Sequence, residues 1–381
     1  MKRKTLGMLN VRVEAERMVL SDGLQPFMFR SRKGTMFLQA QLTAPPGFKA
    51  AGVNVIPGDG ICENVISRDG GKSWQRWHPK EWSKLQPYFE GAFTQLRDGT
   101  ILMVEWIADV TKKTGKFEAR LWESKDDLKT LRGPITATID LPQAKAGGYD
   151  DGGRPYSGLT FHRTILELPR GDLLAAVYCW FKGDDTPCPY QPRMCKFRCV
   201  LLRSGDRGRH WRLASTIAAD PRVGEEGFDE PVMIRLSKGN HAGRLICLMR
   251  TGSLGCPIYQ ATSDDEGVSW SKPRPLFFRG VDPDLIEMAD GTLACSFGWR
   301  TERWTEAKPP ELHGNYVIFS RDGGDTWTNL TRLPIEANAN VACTTCYTTI
   351  REIAPRRLLV VYDIGRWGLP VRYVVSRVVK V

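Results

Sequence analysis

The sequence predicts an all-β fold, a six-bladed propeller with four-stranded antiparallel blades, and two interleaved repeats predict it. The first is a polar octet ending in an aromatic residue: "SRDGGKSW" from Ser67, "SGDRGRHW" from Ser204, "SDDEGVSW" from Ser263 and "SRDGGDTW" from Ser320, with a degenerate "SKDDLKTL" from Ser124. The starts are spaced by 57, 80, 59 and 57 residues, so one unit recurs and the third carries an insertion. The second repeat is a turn followed by an apolar run, found from Ser31, Leu96, Leu168, Leu236, Met288 and Arg351. No long amphipathic helix interrupts either repeat.

Each unit therefore reads as an inner apolar strand, a tight turn, a second apolar strand, and a third and fourth strand joined by the octet. Radial packing is the economical way to bury both faces of so many small sheets. The expected domain is a single propeller over residues 1–381, with a strand at about Val11 to Leu20 closing the last blade. In the octet, Asp accepts backbone N–H bonds within its own turn, Gly permits positive φ, and Trp packs inward. These are structural devices, and chemistry is expected elsewhere.

Composition sets the outer bounds. With 41% hydrophobic residues and 12 tryptophans there is ample material for a core. No apolar run approaches the roughly 20 residues that span a bilayer, and the basic start Met1 to Thr5 is not followed by an apolar stretch of signal-peptide length. The chain reads as cytoplasmic, or as an exported protein whose signal has been removed. A net charge of +11 favours anionic partners. The basic residues are dispersed and no nucleic-acid motif is present, so an acidic glycan is expected rather than nucleic acid. Of ten cysteines, Cys179, Cys247 and Cys295 lie in apolar runs and read as buried hydrophobes. Cys188, Cys195 and Cys199 share the insertion, and Cys343 and Cys346 form a separate pair. The spacing of a zinc site is missing, so free thiols and no metal or other cofactor are expected.

The octet resembles the Asp-box (Ser-x-Asp-x-Gly-x-x-Trp) of the sialidase superfamily of six-bladed propellers, and the resemblance covers nearly the whole chain. In an up-and-down blade, the start of the inner strand and the end of the second strand share the rim opposite the octets. Reading that rim gives Arg30, then His162 and Arg163, then Asp229, Glu230 and Arg250. It continues with Asp282, Asp284 and Arg300, and ends with Tyr347, Asp363 and Arg366. Several arginines facing one pocket make an anion site.

Sialidases hold the substrate carboxylate with three arginines, attack with a tyrosine activated by a glutamate, and use an aspartate as acid and base. The resemblance implies Arg30 in "FMFRSRKGT" as the first arginine, although the usual Ile-Pro after it is Ser31-Arg32. It implies Asp59 in "PGDGICENVIS" as acid/base, with Glu63 as its rival. Glu230 becomes the activating carboxylate, Arg250 the second arginine, Tyr347 the nucleophile and Asp363 a supporting carboxylate. The third arginine is missing: "ELHGNYVIFS" offers His313, leaving Arg300, Arg303 or Arg366 to reach that place. The implied activity is an exo-glycosidase that hydrolyses a terminal acidic sugar with retention. Two alternatives stay open. One is a lyase or atypical glycosidase acting on uronates through His162 and Tyr347, with Arg163 among the groups neutralising the carboxylate; the other is a non-catalytic glycan-binding propeller.

Overall fold

The computed structural model describes residues 9–42, 61–80, 88–89, 92–301, 312–335, 343–367 and 371–381. Its regular elements there are β-strands, with a 3-10 turn at Gly239–His241. Three sheets are four-stranded antiparallel meanders in sequence order. The first comprises Leu24–Arg30, Met36–Leu42, Ile61–Ser67 and Gln75–Arg76. Another comprises Asp229–Arg235, Leu245–Arg250, Pro257–Ser263 and Arg274–Arg279, and the third Val281–Glu287, Leu293–Trp299, Gly314–Ser320 and Thr328–Leu333.

A five-stranded sheet starts at Thr348–Ala354, continues through Arg357–Ile364 and Tyr373–Lys380, and is completed by the N-terminal strands Arg12–Val13 and Arg17–Leu20, which both pair with Tyr373–Lys380. Two further meanders, one starting at Phe93 and one at Leu159, are counted together in a nine-stranded sheet. They touch through a parallel bridge, Thr164 with Phe93, an antiparallel bridge, Ile107 with Thr160, and a short parallel run, Thr138–Asp140 with His210–Arg212. Because Lys116–Ser124 also pairs with Arg132–Asp140, eight of those strands form a closed circuit.

The strand sequences show why the elements lie where they do. Leu293–Trp299 and Leu173–Cys179 are apolar without alternation and buried on both faces, as strands sandwiched between neighbours must be. Outer strands such as Arg132–Asp140 alternate exposed and part-buried residues, with one face in water. The apolar clusters lie between consecutive sheets. One, with Met28, Leu38, Val361 and Val374, joins the first sheet to the last, so the sheets close into a ring.

The octets sit at those joints. Ser67 Oγ accepts from Gly71 N at 2.9 Å, and Asp69 Oδ1 accepts from Lys72 N and Ser73 N at 3.0 Å each. The turns at Ser204, Ser263 and Ser320 repeat the serine bond to glycine and the bond from the fourth residue after Ser-x-Asp. The degenerate copy keeps the geometry with Leu128 at φ +64° where the others have glycine. At Gly267 (φ +84°) a Cβ would lie 2.2 Å from Leu201 of the preceding meander, so the turn presses backbone against its neighbour. Trp327 and Trp270 likewise reach back, donating to Gln260 Oε1 and Ser215 Oγ at 3.0 Å.

Candidate active site

Strand register defines two rims. Met36 pairs with both Arg30 and Ser67, and Leu245 pairs with Arg235 and Ser263, so the inner turns and the octets share one rim. At the other rim Asp229 pairs with Arg250, Val281 with Gly298 and Thr348 with Tyr362. The inner strands reach that second rim through bulges. The residue at each bulge, or just before the last inner strand, has positive φ: Gln25 (+50°), Arg163 (+57°), Glu230 (+37°), Asp282 (+49°) and Cys346 (+68°). Three of these precede proline, in Gln25-Pro26, Glu230-Pro231 and Asp282-Pro283. Such strain in non-glycine residues survives only where surroundings over-determine it, and it gathers at functional sites.

Tyr347 and Glu230 meet at this mouth. The Tyr347 hydroxyl donates to Glu230 Oε1 at 2.5 Å, and Arg250 Nη1 lies 2.6 Å from the same oxygen and 3.4 Å from the phenol oxygen. All three residues are buried. Burial by itself raises the Glu230 carboxyl, but the charge of the Arg250 guanidinium, the largest opposing influence, holds it below its ordinary value. An ionised carboxylate thus accepts the phenol proton's hydrogen bond. Arg250 is bracketed on its other side by Glu226, whose oxygens lie 2.9 Å from Nε and Nη2. Next to Glu226, burial and then the Glu226 charge push the Asp229 carboxyl well up.

A second network crosses the axis. Arg163 donates Nε to Asp282 Oδ1 at 3.1 Å, Nη2 to Asp282 Oδ2, and Nη2 to the Thr348 carbonyl at 2.9 Å. Asp282 in turn ties the reactive pair together: its N–H donates to Glu230 Oε2 at 2.9 Å, and its Oδ2 accepts from Thr348 N, next to Tyr347, at 3.1 Å. Asp284 accepts from Thr349 Oγ1, Ile350 N and Arg351 Nη1. Burial raises its carboxyl, and Arg351 and Arg163 bring it below its ordinary value. His162 Nδ1 sits 3.2 Å from the Pro231 carbonyl, and burial followed by the Arg163 charge lowers its pKa to about 3. This imidazole is neutral throughout the physiological range.

Asp363 builds the platform under Tyr347. Its carboxylate accepts from Thr344 Oγ1 at 2.7 Å, Thr345 N at 2.8 Å, Thr345 Oγ1, and Gln25 N of the first sheet at 2.8 Å. Gly298 leaves room for the same segment, since a Cβ there would lie 2.0 Å from the Cys346 carbonyl. His313 stands against it too, with Nε2 3.2 Å from the Thr344 carbonyl and 3.5 Å from Cys346 Sγ. Arg300 lies over the Tyr347 ring, Cζ 5.3 Å from its centroid, and donates Nε to the Thr345 carbonyl at 2.9 Å. Arg366 is part-buried in the bend after Ile364.

The expected anion clamp is corrected in part. Arg30 is the last residue of its strand, beside the turn, and its guanidinium lies 3.6 Å from where a Cβ on Gly34 would be. It therefore belongs to the octet rim; the first sheet's residue at the mouth is Gln25. Arg163 and Arg250 are at the mouth but are engaged by protein carboxylates. Asp59 and Arg303 lie outside the described residues, and Glu63 is paired with Arg76 and His78. The ten cysteines are free thiols. Among the described residues, no group of three or more His, Cys, Asp or Glu side chains could hold a metal ion, and no helix is long and apolar enough to cross a membrane. Glu226 was missed by sequence reasoning, though the acidic run "GEEGFDEP" marks its position.

These features define the class: a ring of antiparallel sheets with a buried tyrosine–glutamate–arginine centre at one mouth. Similar solved structures place the fold among the propellers. A protein of unknown function from Dyadobacter fermentans superposes with a TM-score of 0.71 at 20% identity, covering 98% of this chain and 100% of that one. The NanB sialidase of Streptococcus pneumoniae gives 0.59 at 12% identity over 97% of this chain and 70% of that one. The α-L-arabinanase of Penicillium chrysogenum, solved with arabinobiose, gives 0.60 at 14% over 96% and 98%. No family model and no curated protein matches the sequence.

Proposed function

We propose that this chain is a retaining exo-glycosidase of the sialidase type, built as a single six-bladed propeller and acting on a terminal acidic sugar such as a sialic acid or a related keto-acid sugar. The observation that carries the reading is the 2.5 Å bond from the Tyr347 hydroxyl to an ionised, buried Glu230 beside Arg250. A free phenol has a pKa of about 10, so a tyrosine nucleophile needs an adjacent base and cation. In the first step the Tyr347 oxygen attacks the anomeric carbon while its proton passes to Glu230. The glycosidic bond breaks as Asp59 protonates the leaving oxygen. In the second, water activated by Asp59 displaces the tyrosyl oxygen, and Glu230 returns the proton; two inversions give net retention. A neutral nucleophile suits an anomeric carbon bearing a carboxylate, which would repel an anionic one. Arg300, over the Tyr347 ring, and Arg366, beyond Asp363, are the proposed contacts for that carboxylate.

The likeness to a sialidase and an arabinanase supports glycan chemistry on this scaffold. The full burial of His162, with Nδ1 at the Pro231 carbonyl, does not favour the elimination alternative, which needs a proton carrier within reach of the sugar. The test is turnover of a fluorogenic sialoside beside arabinan and a panel of acidic polysaccharides, followed by Tyr347→Phe on whichever substrate is cleaved. Loss of about a thousandfold or more in kcat is expected, with stability little changed. A drop smaller than about tenfold removes Tyr347 from the chemistry. An unsaturated, ultraviolet-absorbing product identifies a lyase, and saturable glycan binding without turnover identifies a binding propeller.

A further inference from the structure

The insertion of the Leu159 meander carries two short ribbons, Gly148–Tyr149 with Pro155–Tyr156 and Pro187–Cys188 with Gln191–Cys195. Both leave the meander at the mouth rim, one just before Leu159 and the other after Cys179, and these two residues pair with each other. The turn of the second ribbon holds Tyr190, whose hydroxyl donates to Glu226 Oε1. Glu226 holds Arg250, Arg250 holds Glu230, and Glu230 accepts from Tyr347. An unbroken polar chain therefore runs from the insertion to the reactive pair.

The ribbon is fastened to the segment that carries Glu226. Lys196 Nζ donates to the carbonyls of Pro221 and Gly224 at 2.9 and 2.6 Å. Phe197 N donates to the Glu226 carbonyl at 2.7 Å, and Phe228 N returns a bond to the Phe197 carbonyl at 2.9 Å. A Cβ on Gly227 would lie 2.2 Å from the Phe197 carbonyl oxygen, so the two backbones are in direct contact. The position of Tyr190 over Glu226 is thereby set by the fold rather than by a loose loop.

We propose that Tyr190 is a positioning residue for the Tyr347–Glu230 pair, and that the Pro187–Cys195 ribbon bearing it is a wall of the reaction site; the proposal rests on the reading of Tyr347 as nucleophile. Glu226 faces Tyr190, Arg250, Asp229, Glu230 and the more distant Asp151. A hydrogen bond donated to a carboxylate stabilises its charged form. Burial raises the Glu226 carboxyl and the Arg250 charge opposes it; the Tyr190 hydroxyl, donating to Oε1, favours the charged form and aims the carboxylate at Nε and Nη2 of Arg250, which leaves Nη1 directed at Glu230 and the phenol oxygen. Without it Glu226 protonates at higher pH and its grip on Arg250 slackens.

The test uses the full chain with Tyr190→Phe. On the substrate that responds to Tyr347→Phe, kcat is expected to fall about tenfold, the loss of one charge-assisted hydrogen bond, with KM within about twofold and the acid limb of the kcat–pH profile moved to higher pH. Glu226→Gln, which keeps shape and removes charge, should lower kcat further and abolish that limb's sensitivity to Tyr190→Phe. Unchanged kcat and acid limb in Tyr190→Phe overturn the proposal, whatever happens to thermal stability. A second readout needs no turnover: the side-chain Nε–H resonance of Arg250, assigned by its loss in Arg250→Lys, should shift in Tyr190→Phe. A shifted resonance without any glycan turnover leaves the positioning chain intact and rejects the nucleophile reading. An unshifted resonance rejects the chain itself.

Discussion

At the octet rim, Asp69, Asp206 and Asp322 accept hydrogen bonds from groups two to four residues away. At the mouth, carboxylates accept from groups 18 to 338 residues away, as in Thr345 and Gln25 to Asp363, Arg250 to Glu230 and Arg163 to Asp282. The first set lies near water in self-contained turns; the second is buried and shared among different sheets. An exposed carboxylate satisfied by its own turn adds stability locally and leaves its neighbours unaffected. A buried carboxylate in a cross-sheet network holds other residues in strained positions, and its loss strands an unpaired charge. The same residue type is therefore a modular peg at one end and part of a single coupled unit at the other.

Breaking the coupled unit should cost most. Asp282→Asn leaves the Arg163 guanidinium facing a neutral amide in a buried site and is expected to destabilise the fold by about 3–5 kcal/mol, read from denaturant midpoints; a change below about 1 kcal/mol would place Asp282 with the octet aspartates. Gly267→Ala tests whether the peg is pressed against its neighbour. Its positive φ and the 2.2 Å approach to Leu201 predict a loss of about 2–4 kcal/mol, with no change in kcat.

Asp322→Ala should cost the least, about 1 kcal/mol for its turn hydrogen bonds. Its pH dependence sharpens the comparison. Burial raises the Asp322 carboxyl, and its bonds from Thr326 and Ser320 bring it below its ordinary value. A depressed folded pKa gives stability that is present above the unfolded value of about 4 and lost as pH falls through the folded one. The gap between wild type and Asp322→Ala should accordingly be full at neutral pH and close as the pH drops below about 4. A gap that widens toward acid pH contradicts the turn's electrostatic role.

The repeats were readable because their physics is local. "SRDGGDTW" contains both partners of its own hydrogen bonds, and an apolar run after a glycine turn contains the information for a strand. Even Ser124 to Leu131, where glycine and tryptophan are lost, keeps enough of the pattern to fold the same way. The mouth was readable from the starts of inner strands and the ends of second strands, as with Glu230, Arg250 and Tyr347, and from the bulged positions near them, as with Arg163 and Asp284. Arg30 misled because a Phe-Arg pair looks the same at either end of a strand, and only the register with Met36 and Ser67 assigns its rim. The pre-proline residues Gln25, Glu230 and Asp282 were a usable signal of the mouth, since a residue held at positive φ before proline marks a bulge.

The sequence by itself determined the all-β meanders, their order and their turns, since hydrogen bonds and apolar periodicity within a few residues specify each of them. Only the tertiary structure decided which charges meet. Arg163 finds Asp282 and the Thr348 carbonyl across 119 and 185 residues, and Tyr190 reaches Glu226 from an insertion with no repeat to place it. Ring closure brings the sheets' mouth ends together, and in that buried space each charge must find a partner from whichever strand the closure presents.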